Sequence, residues 1–268
     1  MPRSTLTSLA DDLASRGYAV ASVDHSYESV GTDFPGGRLL ACAACEQVGT
    51  RPEKAAVVRG RAKDMSFVID ELTSRQGTWL SRVVDPRRIG IAGHSIGGAA
   101  AAATMAIDDR VRAGVDLDGD FYACPAGAGL GQRPFMMLGA ESTHSPQSVG
   151  TDWPDAWSHL NGWKRWLTAT GAEPFSFTDL PYLAGQLGLS DPQSRSRVSA
   201  GGTSFATTWQ PSSTFTFAVS PSRSLTAPPP LIPRSHSGSR SPATPNDHLR
   251  RCCLALRDRR ASAGRGHE

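Results

Sequence analysis

The chain has 268 residues, with 28 Lys and Arg against 25 Asp and Glu for a formal charge of +3. That is long enough for one α/β domain with a sizeable core, and the absence of any run of roughly 18 apolar residues excludes a transmembrane segment. The overall charge averages two unlike parts: residues 1–194 carry 17 basic and 22 acidic side chains (17 − 22 = −5), residues 195–268 carry 11 and 3 (11 − 3 = +8).

The chain opens on a helix capped at Ser4 or Thr5, with Leu6, Leu9 and Leu13 on one face and Gly17 as its stop. No apolar stretch of secretory type precedes or overlaps it, which points by default to the cytoplasm. Tyr18 to Asp24 reads as a buried strand, followed by a loop containing Pro35-Gly36-Gly37. A long helix from about Glu53 to Arg75 sets Val57, Val58, Met65, Val68, Ile69 and Leu72 inward. Asp85-Pro86 turns the chain into a strand, Arg88 to Ala92, and the run Gly98 to Ala103 is made of small, helix-compatible residues. Two further apolar runs, Val111 to Leu117 and Pro134 to Leu138, and a last one from Trp163 to Thr170 complete an alternation of strands and helices. This alternation predicts a doubly wound, mostly parallel sheet covered on both faces.

From 191 to 268 the pattern dissolves into Ser, Pro, Thr, Gly and scattered Arg, as in Ala227-Pro228-Pro229-Pro230 and Ser235-His236-Ser237-Gly238-Ser239. Such segments bury too little apolar surface to offset chain entropy, so a disordered tail is expected there and a domain over residues 1–190. Its arginines lack helical spacing and regular aromatic interleaving, so no nucleic-acid partner is expected. Five cysteines give one C-x-x-C pair, Cys42 and Cys45, one isolated residue, Cys124, and one adjacent pair, Cys252 and Cys253. A four-ligand zinc site needs a second well-placed pair. No metal is expected; Cys42 and Cys45 offer either a local disulfide or two reduced thiols, and with no partner motif beside them the thiols are favoured.

Between the strand at 88–92 and the helix at 98–103 lies Gly93-His94-Ser95-Ile96-Gly97. A Gly-x-Ser-x-Gly stretch in that setting is a nucleophile elbow, a sharp turn that presents a serine hydroxyl above the sheet. The backbone N–H directly after the serine, that of Ile96, is one donor for the oxyanion formed in acyl transfer.

These stretches resemble the α/β-hydrolases of the platelet-activating factor acetylhydrolase type and the related bacterial lipase-like esterases. The resemblance rests on Leu13-Ala14-Ser15-Arg16-Gly17-Tyr18, Val23-Asp24-His25, Asp85-Pro86-Arg87-Arg88-Ile89-Gly90, Gly93-His94-Ser95-Ile96-Gly97-Gly98, Asp116-Leu117-Asp118-Gly119 and Phe175-Ser176-Phe177-Thr178-Asp179, and runs from about residue 4 to about residue 190. It implies an α/β-hydrolase fold, hydrolysis of small-molecule or lipid carboxylic esters without a cofactor, and a Ser-Asp-His triad in that chain order. Ser95 matches the nucleophile, and Asp118 matches the acid. Asp116 lies deeper on the same face, and Glu141 stands at the alternative acid position of cutinase-like relatives.

The chain departs from the family pattern in three ways. Pro174 occupies the place of the catalytic histidine; having no titratable group, it cannot take the serine proton. His144 and His25 are the substitutes within the domain, while His94 is expected to turn away from Ser95 and His159 to lie in a tryptophan-rich helix. The strand that supplies the second oxyanion donor is missing at the N-terminal edge, so the strands at 18–24 and 88–92 are expected to pair directly or to leave backbone groups unpaired. The tail ends the resemblance. A late start, a point change and a shifted reading frame would together produce all three. Two readings follow: a serine ester hydrolase with impaired turnover, or a non-catalytic remnant or binding module that keeps the pocket.

Overall fold

The computed structural model describes residues 2–74, 83–122 and 129–189, together with the backbone of residues 197–200, 203–208 and 217–221. A short 3-10 turn, Arg3–Leu6, leads into helix α1, Thr7–Ser15, and Gly17 reverses the chain at φ 88°. Strand β1, Ala19–Ala21, follows. The expected loop around Pro35 folds as a hairpin, β2 at Gly31–Phe34 and β3 at Arg38–Ala41, because Gly36 and Gly37 supply the positive φ values of a tight turn. Helices α2, Ala44–Gln47, and α3, Arg51–Ser74, come next.

Strand β4, Val84–His94, feeds helix α4, Ile96–Ile107. Strands β5, Val111–Leu117, and β6, Phe135–Ala140, are followed by the single turn α5, Glu141–His144, and by α6, Trp153–His159. Strand β7, Lys164–Thr170, precedes a 3-10 turn at Pro174–Phe177 and helix α7, Leu180–Gln186. Strands β8, Arg197–Ala200, β9, Thr203–Thr208, and β10, Phe217–Pro221, close the described chain.

The main sheet runs β1-β10-β4-β5-β6-β7-β8-β9, with β4 to β7 mutually parallel. Alternation along β6 shows how both faces are covered. Phe135 and Met137 point into the larger core with Met65 and Ile69 of α3, Met105 of α4 and Trp153 of α6. Leu138 and Ala140 join Leu117, Ala169 and Phe177 on the opposite side. The α3 side chains Met65 and Ile69 are each 2% exposed, and burial of that kind stabilises by about 2 kcal/mol per side chain. Residues Ala99 to Ala103 of α4 are buried because their small side chains let the helix lie close to the sheet.

Three expectations need correction. Strands β1 and β4 do not pair directly: β10 stands between them, antiparallel to both, and supplies the ladder partners that a missing strand would leave open. Within 191–268, the range expected to be a disordered tail, the backbone thus forms β8, β9 and β10, at stretches that contain β-branched or aromatic residues such as Val198, Phe205, Thr207, Phe217 and Val219. The rest of that range, with Cys252 and Cys253, lies outside the described residues, as does Cys124. Cys42 and Cys45 form a disulfide rather than two thiols, their Cα atoms brought to 5.4 Å where the chain enters α2. Among the described residues no helix is long and apolar enough to cross a membrane, and no group of three or more His, Cys, Asp or Glu is placed to hold a metal ion.

Candidate active site

Ser95 sits alone between β4 and α4 with φ 55° and ψ −127°, a backbone conformation that costs a non-glycine residue about 1–3 kcal/mol. The surroundings hold it there. Its N–H donates to the Leu117 carbonyl at the end of β5 at 2.8 Å, and its own carbonyl accepts from the Gly98 N–H at 2.8 Å. A Cβ at Gly93 would overlap the Gly97 carbonyl, and one at Gly119 would overlap the Ser95 carbonyl, so both glycines are required by close approach.

Asp118 follows β5, the strand next to β4, so nucleophile and acid leave the carboxyl ends of neighbouring parallel strands. Its Oδ1 accepts three hydrogen bonds: from the Ala140 N–H at 2.8 Å, from Thr143 Oγ1 at 2.6 Å and from His144 Nδ1 at 2.7 Å. None of these uses Oδ2. Burial works to raise the Asp118 pKa, but the bonds from His144 and Thr143 outweigh it and hold the carboxyl below its ordinary value. Asp116, fully buried, is the opposite case. Desolvation raises its pKa well above the usual range, and among the described residues its Oδ2 has no partner while Oδ1 accepts from the Gly119 N–H at 3.0 Å. Through the Gly119 N–H, Asp116 shapes the turn after β5.

A cavity of about 310 Å³ lies over the elbow, lined among others by Ser95, Asp118, His94, His25, Arg61 and Pro174. The sequence-matched pieces are thus brought together, and Pro174 stands with them. The Pro174 turn is rigid: Glu173 and Ser176 form a reciprocal capping box around it. His94 does not turn away as expected. It lines the same cavity and donates from Nε2 to the Pro174 carbonyl at 2.7 Å, and burial lowers its pKa, so it is a neutral ring whose proton sits on Nε2.

The other histidines separate. His144 is buried, stacks on Trp153 with ring centroids 4.4 Å apart, and is held between Asp118 at Nδ1 and Asp120 at Nε2, the latter at 3.4 Å. Burial opposes its charge, yet the bonds to the two aspartates push its pKa up to about 9. It does not line the Ser95 cavity. His25 does, with Nδ1 on Asp64 of α3 at 3.0 Å. His159 hydrogen-bonds the Asp155 carbonyl on its own helix at 2.9 Å. Glu141 is exposed at the start of α5, where its carboxylate accepts from the Gly171 N–H at 3.4 Å, outside the cavity.

Sequence reasoning missed Arg61. It lies on the buried stripe of α3 between Val58, Ala62 and Met65, and its guanidinium reaches the cavity beside the elbow. A charged residue on an otherwise apolar helix face was the available signal.

A parallel sheet with a strained serine elbow at its carboxyl edge defines an α/β-hydrolase. Comparison with known proteins narrows this. Residues 68–198 match the family model described as platelet-activating factor acetylhydrolase, isoform II. Over 189 residues the chain is 28% identical to a probable 1-alkyl-2-acetylglycerophosphocholine esterase of Arthroderma benhamiae, covering 67% of this chain and 46% of that protein. A ferulic acid esterase from Streptomyces cinnamoneus superposes with a TM-score of 0.62 at 45% identity, over 72% of this chain and 54% of that one. The chain therefore spans about half the length of these relatives. All three matches are consistent with a platelet-activating factor acetylhydrolase-like α/β-hydrolase.

Proposed function

We propose that this chain is a serine carboxylic-ester hydrolase site with slow turnover. Ser95 would take the acyl group, Asp118 would be the orienting acid, and the Ile96 N–H would be one oxyanion donor. The observation that carries the reading is the elbow itself: Ser95 at φ 55°, in one cavity with Asp118. Strain of that kind persists only where the surrounding fold enforces it. The substrate is a small or lipid-derived ester with a short acyl group, since about 310 Å³ is at the low end of ligand pockets. The names of the two relatives, an acetylglycerophosphocholine esterase and a ferulic acid esterase, support that class.

In the reaction Ser95 Oγ bonds to the carbonyl carbon, the carbonyl electrons move onto oxygen against the Ile96 N–H, and the alkoxide leaves; water then releases the acid. Each half-reaction needs a group that takes a proton and returns it. Pro174 offers none. His144 is committed to Asp118 and Asp120, and His94 keeps its Nε2 proton on the Pro174 carbonyl. The leaving groups of an activated ester or a fluorophosphonate depart without a proton, so acylation by them needs no general acid and the Ser95 proton passes to water; labelling is expected to proceed slowly, whereas turnover of ordinary esters is expected to fall by roughly four to six orders of magnitude.

The test is labelling of purified protein with a fluorophosphonate probe and p-nitrophenyl acetate hydrolysis at pH 8, each against Ser95→Ala and Pro174→His. Ser95-dependent labelling with turnover well under about 1 per second supports the proposal. Absence of Ser95-dependent labelling favours the binding-module reading, for which Pro174 in the cavity is the supporting observation. Turnover above about 1 per second that disappears in Ser95→Ala would point to His25 as the working base.

A further inference from the structure

Arg61 is buried to 9% exposure on the inner stripe of α3, and its carboxylate partner among the described residues is Glu28, which accepts from Nε at 2.7 Å. A guanidinium carries five N–H donors. The bond to Glu28 uses one of them, and among the described residues the Nη1 and Nη2 groups donate to no acceptor. Both partners line the Ser95 cavity, and Nη1 lies 4.0 Å from the point where a side chain on Gly97 would begin. Gly97 is in the first turn of α4, so the free face of the guanidinium and the positive end of a 12-residue helix meet at one wall of the cavity. Neither Nη group is among the fully buried polar atoms that lack a partner, so the fork opens onto the cavity. An anion entering there would meet it directly, since planar bidentate recognition of carboxylate and phosphate is what a guanidinium does best.

We propose that Arg61 is an anion-recognition subsite of the Ser95 cavity and selects esters that carry a carboxylate or phosphate group within reach of the scissile bond. The Glu28 carboxylate fixes the guanidinium plane through Nε and leaves the Nη groups to the substrate. His25, held by Asp64 on the same helix, walls the subsite, and Arg3, paired to Asp24 at 2.7 Å, lines the same cavity. The inference rests on the ester-hydrolase reading for its substrate, while the subsite itself can be read by binding alone.

The experiment measures binding of benzoate, phenyl phosphate and uncharged benzyl alcohol to the full chain by titration calorimetry at constant ionic strength, and the protection each gives Ser95 against the fluorophosphonate probe. Both anions, or one of them, are expected to bind and protect while benzyl alcohol does not; which one binds more tightly tells carboxylate from phosphate esters. Arg61→Gln is expected to weaken anion binding by tenfold or more, the scale of a charge-assisted hydrogen bond, and Arg61→Lys by less. Glu28→Gln, which removes the competing negative charge, is expected to tighten it several-fold and decides the matter should Arg61→Gln fail to fold. Equal binding of anions and alcohol, an Arg61→Gln variant that binds anions as wild type does, or weaker anion binding by Glu28→Gln would overturn the subsite. Arg61-dependent anion binding without any Ser95 labelling would retain the subsite and remove the nucleophile. Labelling that anions leave untouched would do the reverse.

Discussion

His144 donates from Nδ1 to Oδ1 of Asp118 at 2.7 Å, so the candidate acid already holds an imidazole, and it is not one that reaches the serine cavity. The bond arrives together with those of Thr143 and Ala140 on the same oxygen and fixes the carboxylate plane. A second imidazole, entering from the cavity, would find Oδ2 unused.

That arrangement makes the acid testable. In a Pro174→His background, Asp118→Asn is expected to lower p-nitrophenyl acetate turnover by two to four orders of magnitude, through loss of the orienting acceptor and its charge. Glu141→Gln is expected to change it less than threefold, because its carboxylate lies outside the cavity. The opposite ranking would move the acid to the position after β6.

Pro174→His alone is expected to raise turnover by two orders of magnitude or more. The capping box of Glu173 and Ser176 uses backbone and neighbouring side chains, and the Pro174 carbonyl that accepts from His94 survives the change. Steady-state rates for the two proteins decide it; no gain, with the fold intact by circular dichroism, would mean that the oxyanion site rather than the base limits the chain.

Stability is expected to fall with rising pH across one window. The His144 pKa is raised, from about 6.5 in the unfolded chain to about 9 in the fold, so its ion pairs contribute fully below about pH 6.5 and are lost as pH climbs through about 9. The loss is on the order of 3 kcal/mol, counted once for the pair with Asp118. Urea midpoints at pH 6 and pH 9.5 measure it. His144→Gln should flatten the slope, and parallel profiles for variant and wild type would disprove the assignment.

Gly119→Ala is expected to destabilise by about 1–3 kcal/mol or more and to abolish Ser95 labelling, since the added methyl overlaps the Ser95 carbonyl. Thermal melts and probe labelling check both effects; a variant as stable and reactive as wild type would show that the elbow and the Asp118 turn have room to separate.

Much of this site is legible in the sequence because it is local. The order strand, Gly-His-Ser-Ile-Gly, Ala-rich helix dictates the elbow within one turn, and Val115-Asp116-Leu117-Asp118-Gly119 marks the end of the adjoining strand. What spacing cannot carry is where a side chain points once distant elements pack. Arg61 reads as one more residue of a long helix until α3 lies against the elbow. His94 reads as facing away until the turn at Pro174, 80 residues on, gives its ring an acceptor. His144 reads as a loop residue, and only the stacking of Trp153 and the return of Asp118 make it a buried cation. The slot beside β4 is another non-local fact: pattern reading leaves it open, and β10 closes it from more than 120 residues downstream.

The indole of Trp153 is buried, lies 4.4 Å from the His144 ring and donates from Nε1 to the Gly119 carbonyl at 2.7 Å, one residue from Asp118. Protonated imidazole quenches the emission of a stacked indole, so this tryptophan is an optical gauge built into the acid end of the site. Its brightness, taken as the difference from Trp153→Phe, is expected to rise as pH passes through about 9. It should also shift whenever a ligand entering from the cavity pulls on Asp118. Occupancy of the pocket then becomes visible by light alone, with no need of turnover to report it.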